Sequence, residues 1–151
     1  MLFLLIVGLV IGWDLLLKEL TDKVLKDKEK QDLAGGRITL KKVHNKGICG
    51  GHLAKYSDKL RLLLPVVLLL ALIRWLKVLL SKNSNAAEKT GMSLLVGGGA
   101  ANVIDRWRHG YVRDYLQINA GPRRLRRLAG NLADLCVCFG MILAFLFRSD
   151  R

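Results

Sequence analysis

Cysteine is scarce in this chain: Cys49, Cys136 and Cys138 among 151 residues make no disulfide framework. Cys136 and Cys138 sit inside an apolar block, where a thiol behaves as a small hydrophobe. Cys49 with His52 is half of a metal set, but no second Cys/His pair accompanies it, so neither a metal centre nor a cofactor is expected. Acidic residues are also few, 12 against 25 Lys and Arg, for a formal net charge of +13. Such a balance suits nucleic acid. Here, however, 52% of the residues are hydrophobic and they are gathered into long blocks, so the basic surface fits anionic lipid headgroups better. Nucleic acid is therefore not expected as a partner. The leading apolar block lacks a basic n-region and an A-x-A cleavage site, which argues against a removable signal peptide.

What the chain has in quantity is apolar sequence alternating with charged loops. That pattern predicts an all-α polytopic membrane protein, four transmembrane helices in a single domain over 1–151. The expected spans are about 1–17, 60–80, 90–104 and 129–147. Asp14 interrupts the end of the first, with Lys18 one turn later on the same face. A carboxylate within a span costs roughly 2.5–3.5 kcal/mol on insertion scales, so Asp14 should face protein or the interface. Residues 18–32 read as a solvated helical extension carrying the pairs Glu19–Lys23 and Asp22–Lys26. Gly35 and Gly36 break it, 37–43 reads as a short strand, and HNKGICGG at 44–51 as a turn-like loop. Pro65 is expected in the first turns of span two, where a proline costs least. Gly97, Gly98 and Gly99 allow another helix or a substrate to approach span three. The arginines Arg123, Arg124, Arg126 and Arg127 form a basic interfacial segment.

Four spans put the loops 18–59 and 105–128 on one membrane face, together with the start of span four. Asp114 and Asp134 then become candidates for a facing pair. Two carboxylates in a low-dielectric site tend to share one proton. One can act as general base on a water while the other, protonated, polarises a carbonyl. Each residue also has a plainer reading. Asp134 suits a helix cap or dipole partner, Asp105 an ion pair with Arg106, and the asparagines the satisfaction of backbone groups.

Three motifs in order carry a family resemblance. They are Asn45-Lys46-Gly47, the run Gly98-Gly99-Ala100-Ala101-Asn102-Val103-Ile104-Asp105-Arg106 continuing to Asp114-Tyr115-Leu116, and Asn131-Leu132-Ala133-Asp134 with Gly140 beyond. Together they resemble the lipoprotein signal peptidase (signal peptidase II) family of membrane aspartyl peptidases. The resemblance implies that Asp114 and Asp134 are the catalytic dyad. It implies that Asn45, Gly47, Asn102, Arg106 and Asn131 line the site and hold substrate or dyad, with Asp14 and Asp105 in support. It further implies a small extracytoplasmic sheet after the first helix that cradles the substrate. That substrate would be a diacylglyceryl-modified prolipoprotein, cut just before its lipidated cysteine by a monomer in the bacterial inner membrane. Several positions depart from the family pattern. Leu15 and Leu17 stand for Gln and Thr, Ile48-Cys49 follows Gly47 where phenylalanine is usual, Gly130 stands for Phe, and Gln117 for an acidic residue.

The distribution of Lys and Arg conflicts with the orientation so implied. Taken alone, the positive-inside rule puts the two basic loops, and the dyad with them, in the cytoplasm; the resemblance puts them outside. Two other readings stand beside the peptidase. One is a non-cutting homologue that binds lipoprotein precursors or anionic lipid. The other is a channel or transporter subunit using Asp14 and Asp134 as an ion path.

Overall fold

A computed structural model describes residues 1–26, 29–48, 51–119 and 128–149. Cys49 and the arginines Arg123, Arg124, Arg126 and Arg127 lie outside the described residues. Four helices carry the chain: α1 (Leu2–Val24), α2 (Ser57–Leu80), α3 (Ala86–His109) and α4 (Leu132–Leu146). Four strands, β1 (Lys30–Leu33), β2 (Ile38–Asn45), β3 (Val112–Ile118) and β4 (Ala129–Gly130), form one antiparallel sheet in that order.

The first helix continues past residue 17 as expected, with Glu19 and Lys23 exposed, but it ends at Val24, and Lys18, expected in solvent, is fully buried. Of the two pairs expected on the extension, Glu19–Lys23 forms, whereas Asp22 instead meets Arg113 of β3. Residues 30–33, expected to be helical, are an exposed edge strand. The α2 helix begins at Ser57, so Pro65 lies in its interior rather than its first turns.

The small sheet implied by the family resemblance is present, and it draws on more of the chain than the one short strand read from the residues at 37–43. Gly110 caps α3 in the left-handed conformation (φ +80°), a geometry that suits glycine and reverses the chain. The stretch after it, expected as part of the loop 105–128, is β3, an inner strand of the sheet. Its partner β2 steps from Leu40, opposite Leu116, to Val43, opposite Asp114. Three residues on β2 thus span two on β3, which marks a bulge at Lys41–Lys42.

Helix α3 lies at the centre of the bundle. Gly97 faces Val10 of α1, Gly98 the backbone of Ala133 on α4, and Gly99 Leu68 of α2. The tightest seam is with α4, where a Cβ on Gly140 would lie 2.6 Å from the Gly91 carbonyl. No side chain fits there, and the missing Cβ atoms let the two backbones meet.

The distribution of polarity is the reverse of a water-soluble core. Asp14, Lys18, Glu88, Asp105, Arg106, Asp114 and Asn131 are buried, while Leu4, Leu9 and Trp13 of α1, Leu62, Leu69 and Leu70 of α2, and Phe139, Ile142 and Phe145 of α4 face outward. Large exposed apolar faces of this kind belong against lipid or another protein. By length and composition alone, one described helical segment, 54–80, is apolar enough to cross a bilayer, with a mean hydropathy of 2.3. The charges of α1 and α3 dilute such an average, although Asp14, Lys18, Glu88, Asp105 and Arg106 are buried.

Candidate active site

The site is assembled where β2, β3, α3 and α4 converge. Asp114 comes from the middle of β3, and Asp134 from the first turn of α4. Asn131 is the residue that joins them. It is the N-cap of α4, and its Oδ1 accepts from the Asp134 backbone N–H at 2.8 Å. Its Nδ2 is thereby turned away from the helix and donates to Asp114 Oδ1 at 2.9 Å.

The other two asparagines are oriented by the same logic. Asn45 Oδ1 accepts from the Gly47 backbone N–H at 3.0 Å, so its Nδ2 faces Asp114 Oδ2, to which it donates at 2.9 Å. Asn102 Oδ1 accepts from Lys18 Nζ at 3.0 Å and from Asn131 Nδ2 at 3.2 Å. Its Nδ2 therefore donates to Asp134 Oδ1, at 2.8 Å. Each amide has its acceptor end occupied by a donor that cannot turn into an acceptor, which settles which way it points. The bland reading of these asparagines, that they satisfy backbone groups, is half right: Asn45 and Asn131 do so in order to aim at a carboxylate.

Asp114 is buried, and its carboxyl is pushed up to about 7. Burial is the main cause and the nearby charge of Asp134 adds to it. Hydrogen bonds from Asn45 and Asn131 and the charge of Lys18 pull the other way.

Arg106 plays a different part from the one expected beside Asp105. Its guanidinium donates to the carbonyls of Lys46 at 3.3 Å and Gly47 at 2.8 Å, pinning the loop that holds Asn45. Asp105 instead binds Arg113, accepting from its backbone N–H at 2.7 Å and its Nε at 2.8 Å. The expected Asp105–Arg106 pair fails because neighbours on a helix point about 100° apart, as 3.6 residues per turn requires. Arg113 also reaches Asp22 at 2.9 Å, and this double engagement raises its affinity for its proton further.

Behind the carboxylates lies a buried layer that sequence reasoning identified only in part. Asp14 pairs with Lys18 at 2.7 Å, as the spacing predicted. It also accepts from the Ala133 backbone N–H at 3.0 Å and from the Tyr115 hydroxyl at 3.3 Å. Asp14 thus supports the start of α4 from behind. Lys18, Arg113 and Tyr115 were not singled out as site residues. The one local signal for Lys18 was a cation a turn after an aspartate in an apolar helix.

In front of the dyad is a cavity of about 530 Å³. Asn45, Asn102, Arg106, Asp114 and Asp134 form its polar end, and Leu64, Leu68, Leu95, Val137 and Met141 are among its apolar walls. Of the departures from the family pattern, Ile48 lines this cavity. Gly130 lies against Asp134, whose Oδ2 is 3.1 Å from where a Cβ would stand. Among the described residues no His, Cys, Asp and Glu cluster is arranged to hold a metal.

Comparison with known proteins agrees with this architecture. The family model described as signal peptidase (SPase) II matches residues 6–148. The lipoprotein signal peptidase of Moorella thermoacetica is 32% identical over 93% of this chain and 88% of its own length. That of Halothermothrix orenii is 31% identical over 94% of this chain and 91% of its own. A solved bacterial membrane enzyme superposes with a TM-score of 0.82 at 21% identity, over 95% of this chain and 85% of that one. A second does so at 0.77, over 95% and 90%. Fold and family together define an aspartic membrane peptidase. The chain belongs to the signal peptidase II family, the lipoprotein signal peptidases.

Proposed function

We propose that Asp114 and Asp134 are the catalytic dyad of a peptidase that removes signal peptides from diacylglyceryl-modified prolipoproteins, cutting just before the lipidated cysteine. The observation that carries this reading is their position. Two carboxylates, each held by asparagines, stand at the polar end of a cavity whose remaining walls are apolar. The acyl chains and the apolar signal segment then stay in a lipid-like environment while the scissile peptide reaches the carboxylates.

With one proton shared by the pair, the unprotonated carboxylate takes a proton from water as the water oxygen attacks the carbonyl carbon. The protonated partner gives its proton to the carbonyl oxygen. Collapse of the tetrahedral intermediate breaks the C–N bond: the leaving amine takes up the proton gained from water, and a hydroxyl of the intermediate returns its proton to the partner carboxylate as the product acid forms. Asn45, Asn102 and Asn131 keep the two carboxyls in place through the cycle. Arg106 positions the Asn45–Gly47 loop, and its Nε–H, buried and without a partner among the described residues, is a donor for a substrate carbonyl. Asp14 and Asp105 act through the residues they hold.

All four helices cross the membrane in this reading, in one domain, with the sheet and dyad at the extracytoplasmic face. The outward apolar faces of α1, α2 and α4 support it. The positive-inside bias opposes it, but part of the basic charge on the dyad side is consumed locally. Arg113 is bound by Asp105 and Asp22, and Arg106 is tied to the loop carbonyls. Reporter fusions at both termini and within the β1–β2 hairpin are expected to place the termini in the cytoplasm and the hairpin outside; the reverse pattern overturns the orientation.

The function is tested with purified protein and a synthetic precursor, with and without the diacylglyceryl group. Mass spectrometry is expected to find a product beginning at the lipidated cysteine and an unlipidated precursor left intact. A lipidated precursor that binds but is never cut would replace this reading with the non-cutting homologue, which no feature of the site favours.

A further inference from the structure

Beside the dyad, on the sheet side rather than among the helices, is a second cavity of about 290 Å³. Asn45 lines both cavities, so the second opens directly onto the residue that holds Asp114. Two lysines, Lys41 and Lys46, line it, with His44 and Ala129 among its other walls, and no acidic residue does among the described residues.

The fold places these lysines by identifiable means. Lys41 sits in the β2 bulge, and an extra residue in one strand re-aims side chains there. Its neighbour Lys42 points elsewhere, donating to the Asp22 carbonyl at 2.8 Å. Lys46 is held from behind by the Arg106 hydrogen bond to its carbonyl. His44 stacks on Tyr111 with ring centroids 4.1 Å apart, which stiffens the wall between them.

The charges are also uncompensated. Lys41 lies directly across the strands from Lys30, a like-charge pairing that disfavours the sheet. Among the described residues neither Lys41 nor Lys46 has an acidic partner. Partial burial, with the neighbouring Lys30 charge, pulls the Lys41 ammonium below its usual value. An anion bound between them relieves both costs.

We infer that this cavity is a subsite for the polypeptide on the carboxy-terminal side of the cut, and that Lys41 and Lys46 select acidic residues in the few positions after the lipidated cysteine. The inference rests on the proposed function. The apolar cavity between the helices suits the signal segment and the acyl chains. The mature chain must leave towards water, and the sheet-side opening beside Asn45 is a polar route from the dyad.

The test compares kcat/KM for two lipidated precursors that differ only after the cysteine, one carrying Asp-Glu and the other Lys-Lys. Screened ion pairs of this kind are individually weak, so the unmodified enzyme is expected to prefer the acidic precursor by roughly 5- to 20-fold. The preference should shrink in high salt and fall to near unity in the Lys41→Gln/Lys46→Gln double variant, which should still cut. Lys41→Arg should keep it. Equal kcat/KM for the two precursors overturns the subsite while leaving the peptidase reading intact, since both are cut. If the double variant loses its response to anionic lipid in the vesicle but keeps its substrate preference, the lysines serve lipid headgroups and the inference fails.

Discussion

Asp114→Asn and Asp134→Asn are each expected to lower kcat by roughly 10⁴-fold or more while the protein still inserts and folds. The substitutions are nearly isosteric; at 134 the new amide oxygen still accepts from Asn102, and at 114 it accepts from one of Asn45 and Asn131. What each loses is the shared proton. In the proposed mechanism the two carboxyls work as a unit, so the double variant should be little worse than either single one. Normal turnover by either variant removes the dyad from the mechanism.

The same proton sets the pH dependence. With Asp114 pushed up to about 7 by burial and by Asp134, the pair holds its proton below about pH 7 and loses it above. Cleavage is therefore expected to decline as pH rises through about 7. The sign for stability follows from the folded carboxyl holding its proton more tightly than the unfolded one. Asp114 then penalises folding increasingly from about pH 4, the ordinary carboxylate value, to a full penalty above about 7. Reversible unfolding in detergent should show Asp114→Asn gaining on the unmodified protein across that window.

Lys18→Met is expected to be the most destabilising single change, costing about 3–5 kcal/mol. The Lys18 ammonium lies 2.7 Å from Asp14, 3.5 Å from Asp105 and 3.0 Å from the Asn102 carbonyl, and no part of that side chain reaches solvent. Methionine fills the space but leaves Asp14 buried without its cation. It also removes one of the two donors to Asn102 Oδ1, leaving Asn131 Nδ2 alone to orient the amide that holds Asp134, so cleavage should fall along with stability. A loss under about 1 kcal/mol in denaturant unfolding would show that the buried charges are solvated in some other way.

The parts of this molecule that were legible in the sequence are those whose cause is local. The apolar run of α2 reveals itself by composition. Asp14 and Lys18 reveal their pairing by spacing, and the asparagines and aspartates of the site lie in runs specific enough to carry a family resemblance. Strand β3 was not legible because it is buried on both faces along Val112–Tyr115, which removes the alternation that identifies a half-buried strand. The burial of Lys18 was hidden for a related reason. Its partners Asn102 and Asp105 come from α3, and only the packed bundle shows that a lysine in an apparently wet segment points inward. Adjacency in the chain misled at Asp105 and Arg106, where helix geometry sends the two side chains to different neighbours.

Asn131 is both the cap of α4 and the clasp on Asp114, and this gives the molecule an order of events. The carboxylates at 114 and 134 cannot be brought together until the first turn of the last helix has formed and seated against Gly98. A chain in which α4 has not yet docked has β3 and Asp114 in place but lacks the second carboxylate and the asparagine that clasps the first. On the proposed mechanism such a chain cannot cut, and it becomes competent in a single step when α4 seats.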